Sequence, residues 1–95
     1  MLLATKLKNA IQKTGDYKVE LSNISINGRR IGCSGFITNP ANGKIVYVST
    51  EKPAFAALDD YSLIRYAKST SDYVGDINHF VQDDSLCSKI VEMLK

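Results

Sequence analysis

Apolar residues recur along the first fourteen positions at helical spacing. Leu3, Leu7, Ala10, Ile11 and Thr14 fall at i, i+4, i+7, i+8 and i+11, while Lys6, Lys8, Gln12 and Lys13 take the wet side. This spacing predicts a helix over about residues 2–14, with Gly15 as its C-terminal cap and Asp16 starting the exit. The period then changes to two. Tyr17, Val19 and Leu21 alternate with Lys18 and Glu20, as in a half-buried strand. Ile24 and Ile26 continue one residue out of phase, and a bulge near Ser22-Asn23 would return them to the same face. Asn27-Gly28 suits a type I′ hairpin turn, because both residues tolerate positive φ. A two-residue loop sets Ile26 opposite Arg29 and Ile24 opposite Ile31, and puts Ile31, Cys33, Gly35 and Ile37 on one face of the second strand. Gly32 and Gly35 invite a close approach over that strand, expected from the first helix.

Asn39-Pro40-Ala41-Asn42-Gly43 reads as a second turn, and Lys44–Ser49 as a third strand. Ile45-Val46-Tyr47-Val48 is apolar on both faces, so this strand is expected to be covered on two sides. Beyond residue 50 the pattern favours short helices. Ser49 or Thr50 would cap one carrying Pro53, Phe55, Ala56 and Leu58. Asp59 or Asp60 would cap another with Leu63, Ile64 and Ala67 on one face and Arg65 and Lys68 on the other. Tyr73, Val74, Ile77, Phe80 and Val81 have helical spacing, against which Gly75 counts by about 1 kcal/mol. A final helix over about 84–94 follows Asp83 or Asp84 and buries Leu86, Cys87, Ile90, Val91 and Leu94, with Met93 widening the stripe. The expected fold class is α+β. A three-stranded antiparallel meander carries an N-terminal helix, short helices and a C-terminal helix, in one compact domain over residues 1–95.

Composition supports a folded body: 44% of residues are hydrophobic and 23% charged, which excludes wholesale disorder. The net charge of +2 implies neither a nucleic-acid binder nor an acidic DNA mimic. The charge is divided unevenly. Residues 1–52 hold eight bases and three acids, a net +5, and residues 53–95 hold four bases and seven acids, a net −3. Surface pairing between the halves accounts for this simply. No signal peptide is visible, since Lys6 and Lys8 interrupt the start, and no run is long enough to span a membrane. A cytoplasmic setting is therefore expected, with Cys33 and Cys87 reduced.

No constellation for catalysis emerges, and no enzyme activity is expected. His79 is the sole histidine, and nothing in the spacing brings either cysteine to it. The pattern of aspartates does not make a calcium loop, and two distant cysteines make a poor zinc set, so neither a metal nor a cofactor is expected. Gly28, Gly32 and Gly35 lack the strand-to-helix context of a phosphate loop.

Two kinds of binding surface remain. Arg29 and Arg30 at the hairpin tip, with Lys44, are the candidates for nucleic acid, although adjacent strand residues point to opposite faces. The α–β–β–β–α order is similar to that of double-stranded-RNA-binding domains, yet Asp83-Asp84 stands where those domains use lysines. For a protein partner the candidates are Tyr61, Arg65, Tyr66 and Tyr73, since tyrosine and arginine are enriched at interface hot spots. Tyr17 and Tyr47 sit in strands and are assigned to the core. An unpaired edge strand of the meander is a route to a homodimer.

Three stretches carry a family resemblance: Ile31-Gly32-Cys33-Ser34-Gly35-Phe36-Ile37-Thr38-Asn39, Val46-Tyr47-Val48-Ser49-Thr50-Glu51 and Ile64-Arg65-Tyr66-Ala67-Lys68-Ser69-Thr70-Ser71-Asp72-Tyr73. Together they resemble a family of small uncharacterised accessory proteins carried by phages, plasmids and other mobile elements of Gram-positive bacteria. The resemblance brings no assigned activity and no site residues. Its implication is one of context, an accessory of a mobile element or an inhibitor of a host system; taken with the tyrosine and arginine content of residues 60–81, the expectation is a small non-enzymatic protein-binding module. Some CRISPR-nuclease inhibitors have a similar size and element order. Many of those are strongly acidic; this chain is not, which argues against DNA mimicry.

Overall fold

The structure is a computed structural model that describes residues 3–51, 61–73 and 77–95. It contains helix α1 (Ala4–Gln12), strands β1 (Lys18–Ile26), β2 (Arg29–Thr38), β3 (Ile45–Ser49), β4 (Tyr61–Ala67) and β5 (His79–Gln82), a 3-10 turn at Asp83–Ser85 and helix α2 (Leu86–Leu94). The strands form one antiparallel sheet in the order β1-β2-β3-β4-β5. The α+β class holds, but the three-strand meander is corrected to five strands. Tyr61–Ala67 and His79–Gln82 are strands, where helices were expected. The short helix expected around Pro53, Phe55, Ala56 and Leu58 lies outside the described residues, as do Asp59, Asp60, Val74 and Gly75.

β4 explains the misreading. Tyr61, Leu63 and Arg65 face one way, Ser62, Ile64 and Tyr66 the other, and apolar groups occur on both faces. A strand covered on two sides loses the alternation that marks a half-buried one, and its apolar run mimics a helical stripe. β3 is read correctly as covered on both sides: Val46 and Val48 are buried on one face and Tyr47 is half-buried on the other.

Both helices pack on the same sheet face. Leu7 and Ile11 of α1 and Leu86, Ile90, Met93 and Leu94 of α2 meet Cys33, Ile37, Val46, Val48 and Ile64, with Val19, Leu21 and Val81 at the margins. Each fully buried aliphatic side chain contributes roughly 1.5–3 kcal/mol relative to an exposed one, so this layer supplies most of the driving force. The helix ends are fastened by residues distant in sequence. The amide of Ala4 donates to Oδ1 of Asn23 on β1 at 2.9 Å, giving α1 a cap from outside its own segment. The β2–β3 turn closes the other helix: the side-chain amides of Asn39 and Asn42 both donate to the Leu94 carbonyl, at 2.8 and 2.9 Å. Lys44 Nζ donates to the carbonyl of Lys95, so a cation sits at the negative end of α2.

Several local expectations need correction. Gly15 does not cap α1 in a left-handed conformation. Thr14 ends the helix instead, donating both its amide (3.0 Å) and its hydroxyl (2.7 Å) to the Ile11 carbonyl. The hairpin turn is as read, with Asn27 at φ 53° and Gly28 at φ 75°, and Ile26 opposes Arg29. The register shift, however, falls between Ile24 and Ser25. Ile24 therefore opposes Gly32, and Ile31 is the extra residue of the bulge. Thr50 is buried: its hydroxyl accepts the Cys33 amide at 2.9 Å, and its own amide donates to the Cys33 carbonyl at 2.8 Å, while the helix it was expected to cap lies outside the described residues. The close approach at the β2 glycines comes from neighbouring backbone, not from α1. A Cβ on Gly35, at φ 155°, would stand 1.9 Å from the Glu20 carbonyl oxygen, and one on Gly32, at φ 152°, would stand 2.8 Å from the backbone of Thr50 and Glu51.

Gly35→Ala is therefore expected to destabilise the protein by about 3 kcal/mol or more, because strained φ and backbone overlap add. Gly43→Ala, at φ 77° with open space around it, should cost only about 1 kcal/mol. Urea unfolding of the two variants checks the difference; equal losses would contradict the close strand approach.

Candidate functional site

The sheet face turned away from the helices carries the candidate site. The antiparallel register sets Glu20, Phe36, Tyr47 and Arg65 in one row across β1, β2, β3 and β4. The Arg65 guanidinium carbon lies 4.4 Å from the Tyr47 ring centroid, a cation–π contact. The chain after β4 turns back at Lys68–Asp72, where Asp72 Oδ2 accepts the Lys68 amide at 2.9 Å. That turn presents the Asp72 carbonyl to Arg65 Nη2 at 2.9 Å and delivers Tyr73 onto the aromatic row. Tyr73 meets Phe36 at 5.3 Å between ring centroids and Tyr47 at 6.1 Å, at interplanar angles of 74° and 76°. Phe36 and Tyr47 pack at 5.3 Å, tilted by 57°. These are the edge-to-face arrangements that aromatic quadrupoles favour.

Arg65 is only 3% exposed, and its Nη1 is buried with no hydrogen-bond partner among the described residues. Burying a charged donor without a partner carries a desolvation cost, set against the cation–π contact with Tyr47 and the charge-assisted bond to the Asp72 carbonyl. The arginine thus acts mainly as a strut that holds the turn carbonyl and, through it, Tyr73.

The four residues expected to form one protein-binding surface do not share one. Tyr61, Arg65 and Tyr73 lie on the face just described. Tyr66 points to the helix side, where it lines an open cleft of about 250 Å³ with His79, Lys89, Glu92 and Met93. Arg65 is buried and Tyr61 is half-buried; Tyr73 presents its ring to solvent, at 71% exposure. The sequence reading missed Phe36 and Tyr47 as the platform beneath Tyr73. The only available signal was the apolar character of both faces of β3. Phe80, expected at helical spacing with Ile77, lies in strand β5, and both residues are exposed.

Arg29 and Arg30 are exposed at the hairpin tip, while Lys44 sits beyond the other end of β2 and is engaged at the end of α2. Ten residues of strand separate the two ends by about 30 Å, so the three cations do not form one patch.

Among the described residues, no group of three or more His, Cys, Asp or Glu gathers as a metal site, and no helix is long and apolar enough to cross a membrane. Cys33 is buried and Cys87 half-buried, and both are free thiols. Burial pushes the Cys33 thiol above its ordinary value, against a smaller lowering effect of the Thr50 hydrogen bond. Burial alone raises Cys87. Both shifts disfavour the nucleophilic thiolate. Comparisons with protein-family models, with curated proteins and with solved structures each find no match.

Replacing Arg65 by alanine is expected to cost about 2–4 kcal/mol through the cavity it opens. Arg65→Met keeps the stem and removes the unmatched donor, and should stay within about 1 kcal/mol of the parent chain. Chemical denaturation of both variants checks this; equal losses would show that the charge itself is needed. The thiols supply a second expectation. Because folding raises the Cys33 pKa, the folded state holds that proton more tightly than the unfolded one. The stability tied to it is complete below the ordinary thiol value of 9.0 and is lost as pH rises above it. Denaturation midpoints followed from neutral to alkaline pH should fall less in Cys33→Ala than in the parent chain.

Proposed function

We propose that this chain is a small non-enzymatic protein-recognition module whose contact surface is the sheet face opposite the helices, centred on Tyr73. The observation that carries this reading is the Tyr73 ring, exposed yet braced edge-on against Phe36 and Tyr47. A large aromatic already fixed before binding loses little conformational entropy when a partner covers it, which is what makes tyrosine effective at interface hot spots. Tyr61 lies on the same face at the far end of β4 and extends the surface. Arg65 supports the surface from beneath, and Tyr66 belongs to the opposite side. The accessory or inhibitory role implied by the resemblance to mobile-element proteins would be exercised through this face, by occupying a surface of a host protein.

Tyr73→Ala is expected to leave the circular dichroism spectrum intact and to weaken capture of a specific partner from a host extract by about tenfold or more. Unchanged capture by the folded variant would refute the reading. The nucleic-acid alternative, through Arg29, Arg30 and Lys44, has separated cations in place of a clustered basic patch. Gel-shift titrations at low salt should accordingly stay flat. Tight, steeply salt-dependent binding lost on changing Arg29 and Arg30 to alanine would reverse the preference.

A further inference from the structure

We propose that β5 is a dimerisation strand: two copies of this chain pair their β5 edges antiparallel about a twofold axis and join their sheets. The two edges of the sheet differ in kind. β1 is guarded, because its exposed side chains include the Lys18–Glu20 ion pair at 3.2 Å together with Ser22, Asn23 and Ser25, and a bulge interrupts the ladder formed with β2. Charges and bulges of this type protect an edge from pairing with another chain. β5 has neither. From Ile77 to Gln82 the sequence carries no Lys, Arg, Asp or Glu, and Phe80 is 58% exposed. Among the described residues, β5 pairs with β4 alone. Its outer row of backbone groups can be matched by a strand.

Charge placement selects the occupant and its direction. A twofold contact presents the same patch from both sides, so it must be compatible with itself. The neutral β5 meets that condition, since self-pairing sets no like charges opposite one another. Asp83 and Asp84 follow the strand directly, and antiparallel pairing sends the two acidic ends to opposite ends of the joint. A parallel arrangement would set them side by side. Phe80 lies on the face away from the helices, opposite Leu63 of β4, so the two copies of its ring approach each other on that face and lose water there. A stable interface buries about 1,200–2,000 Å², more than a four-residue strand pair supplies, so the dimer is weak and concentration-dependent. Joining the sheets through β5 also places both Tyr73 surfaces on one continuous face.

Sedimentation equilibrium of the full chain from micromolar to millimolar concentration tests this. The expected mass rises from 10.5 kDa toward twice that value. Phe80→Lys should weaken association by about tenfold or more, while Tyr73→Ala leaves it unchanged. Should the lysine variant fail to fold, a mixture of isotope-labelled and unlabelled parent chains still decides the matter, because intermolecular contacts are expected among residues 79–82. A monomer throughout the range, or a dimer whose contacts lie on β1 or around Tyr73, would overturn the proposal. Either result leaves the recognition reading to its own test, since that one scores partner capture.

Discussion

Among the described residues both helices pack on one face of the sheet, and a buried cation organises the other. The guanidinium of Arg65, almost completely buried, sits over the Tyr47 ring and reaches the carbonyl of Asp72. One of its nitrogens, Nη1, is buried without a hydrogen-bond partner among the described residues, so part of what its contacts gain is offset by desolvation. Its value is geometric. The contact to Asp72 ties the turn after β4 to the sheet, and the position of Tyr73 over Phe36 and Tyr47 follows from that tie. Without it Tyr73 would be held by its ring contacts with Phe36 and Tyr47 alone.

The helix face works by different physics. There, aliphatic burial dominates, and polar side chains fasten the helix ends. Asn23 receives the first turn of α1, and Asn39, Asn42 and Lys44 close the last turn of α2. Both fastenings come from strands or turns of the sheet. Helix ends and sheet register therefore constrain each other: a slip of β1 would withdraw the cap of α1. The close backbone approaches at Gly32 and Gly35 serve the same layer, drawing β1 and the end of β3 tightly against β2.

What the sequence made legible follows the range of the interactions. The α1 stripe, the Asn27-Gly28 hairpin, the third strand and the α2 stripe are each decided within a dozen residues, and each was readable. β4 and β5 were not, because their identity rests on pairing with strands distant in sequence. Ile64 and Leu63 look alike in a helix and in a strand covered on both sides. The candidate site was legible in composition and not in placement. Tyr61, Arg65 and Tyr73 do share a face, but only strand alternation, unreadable while β4 was taken for a helix, reveals that Tyr66 leaves it. The burial of Arg65 depends on Tyr47, eighteen residues earlier, and on a turn that brings Tyr73 back across both.

The arrangement of this sheet face depends on Arg65 being enclosed against Tyr47 in solution. Nuclear magnetic resonance of the side chains measures this directly. Ring current from Tyr47 should shift the Arg65 δ-methylene protons well upfield, and the guanidinium protons should exchange slowly with water. Methylene shifts at ordinary peptide values, with fast-exchanging guanidinium protons, would show a solvated arginine and an open sheet face.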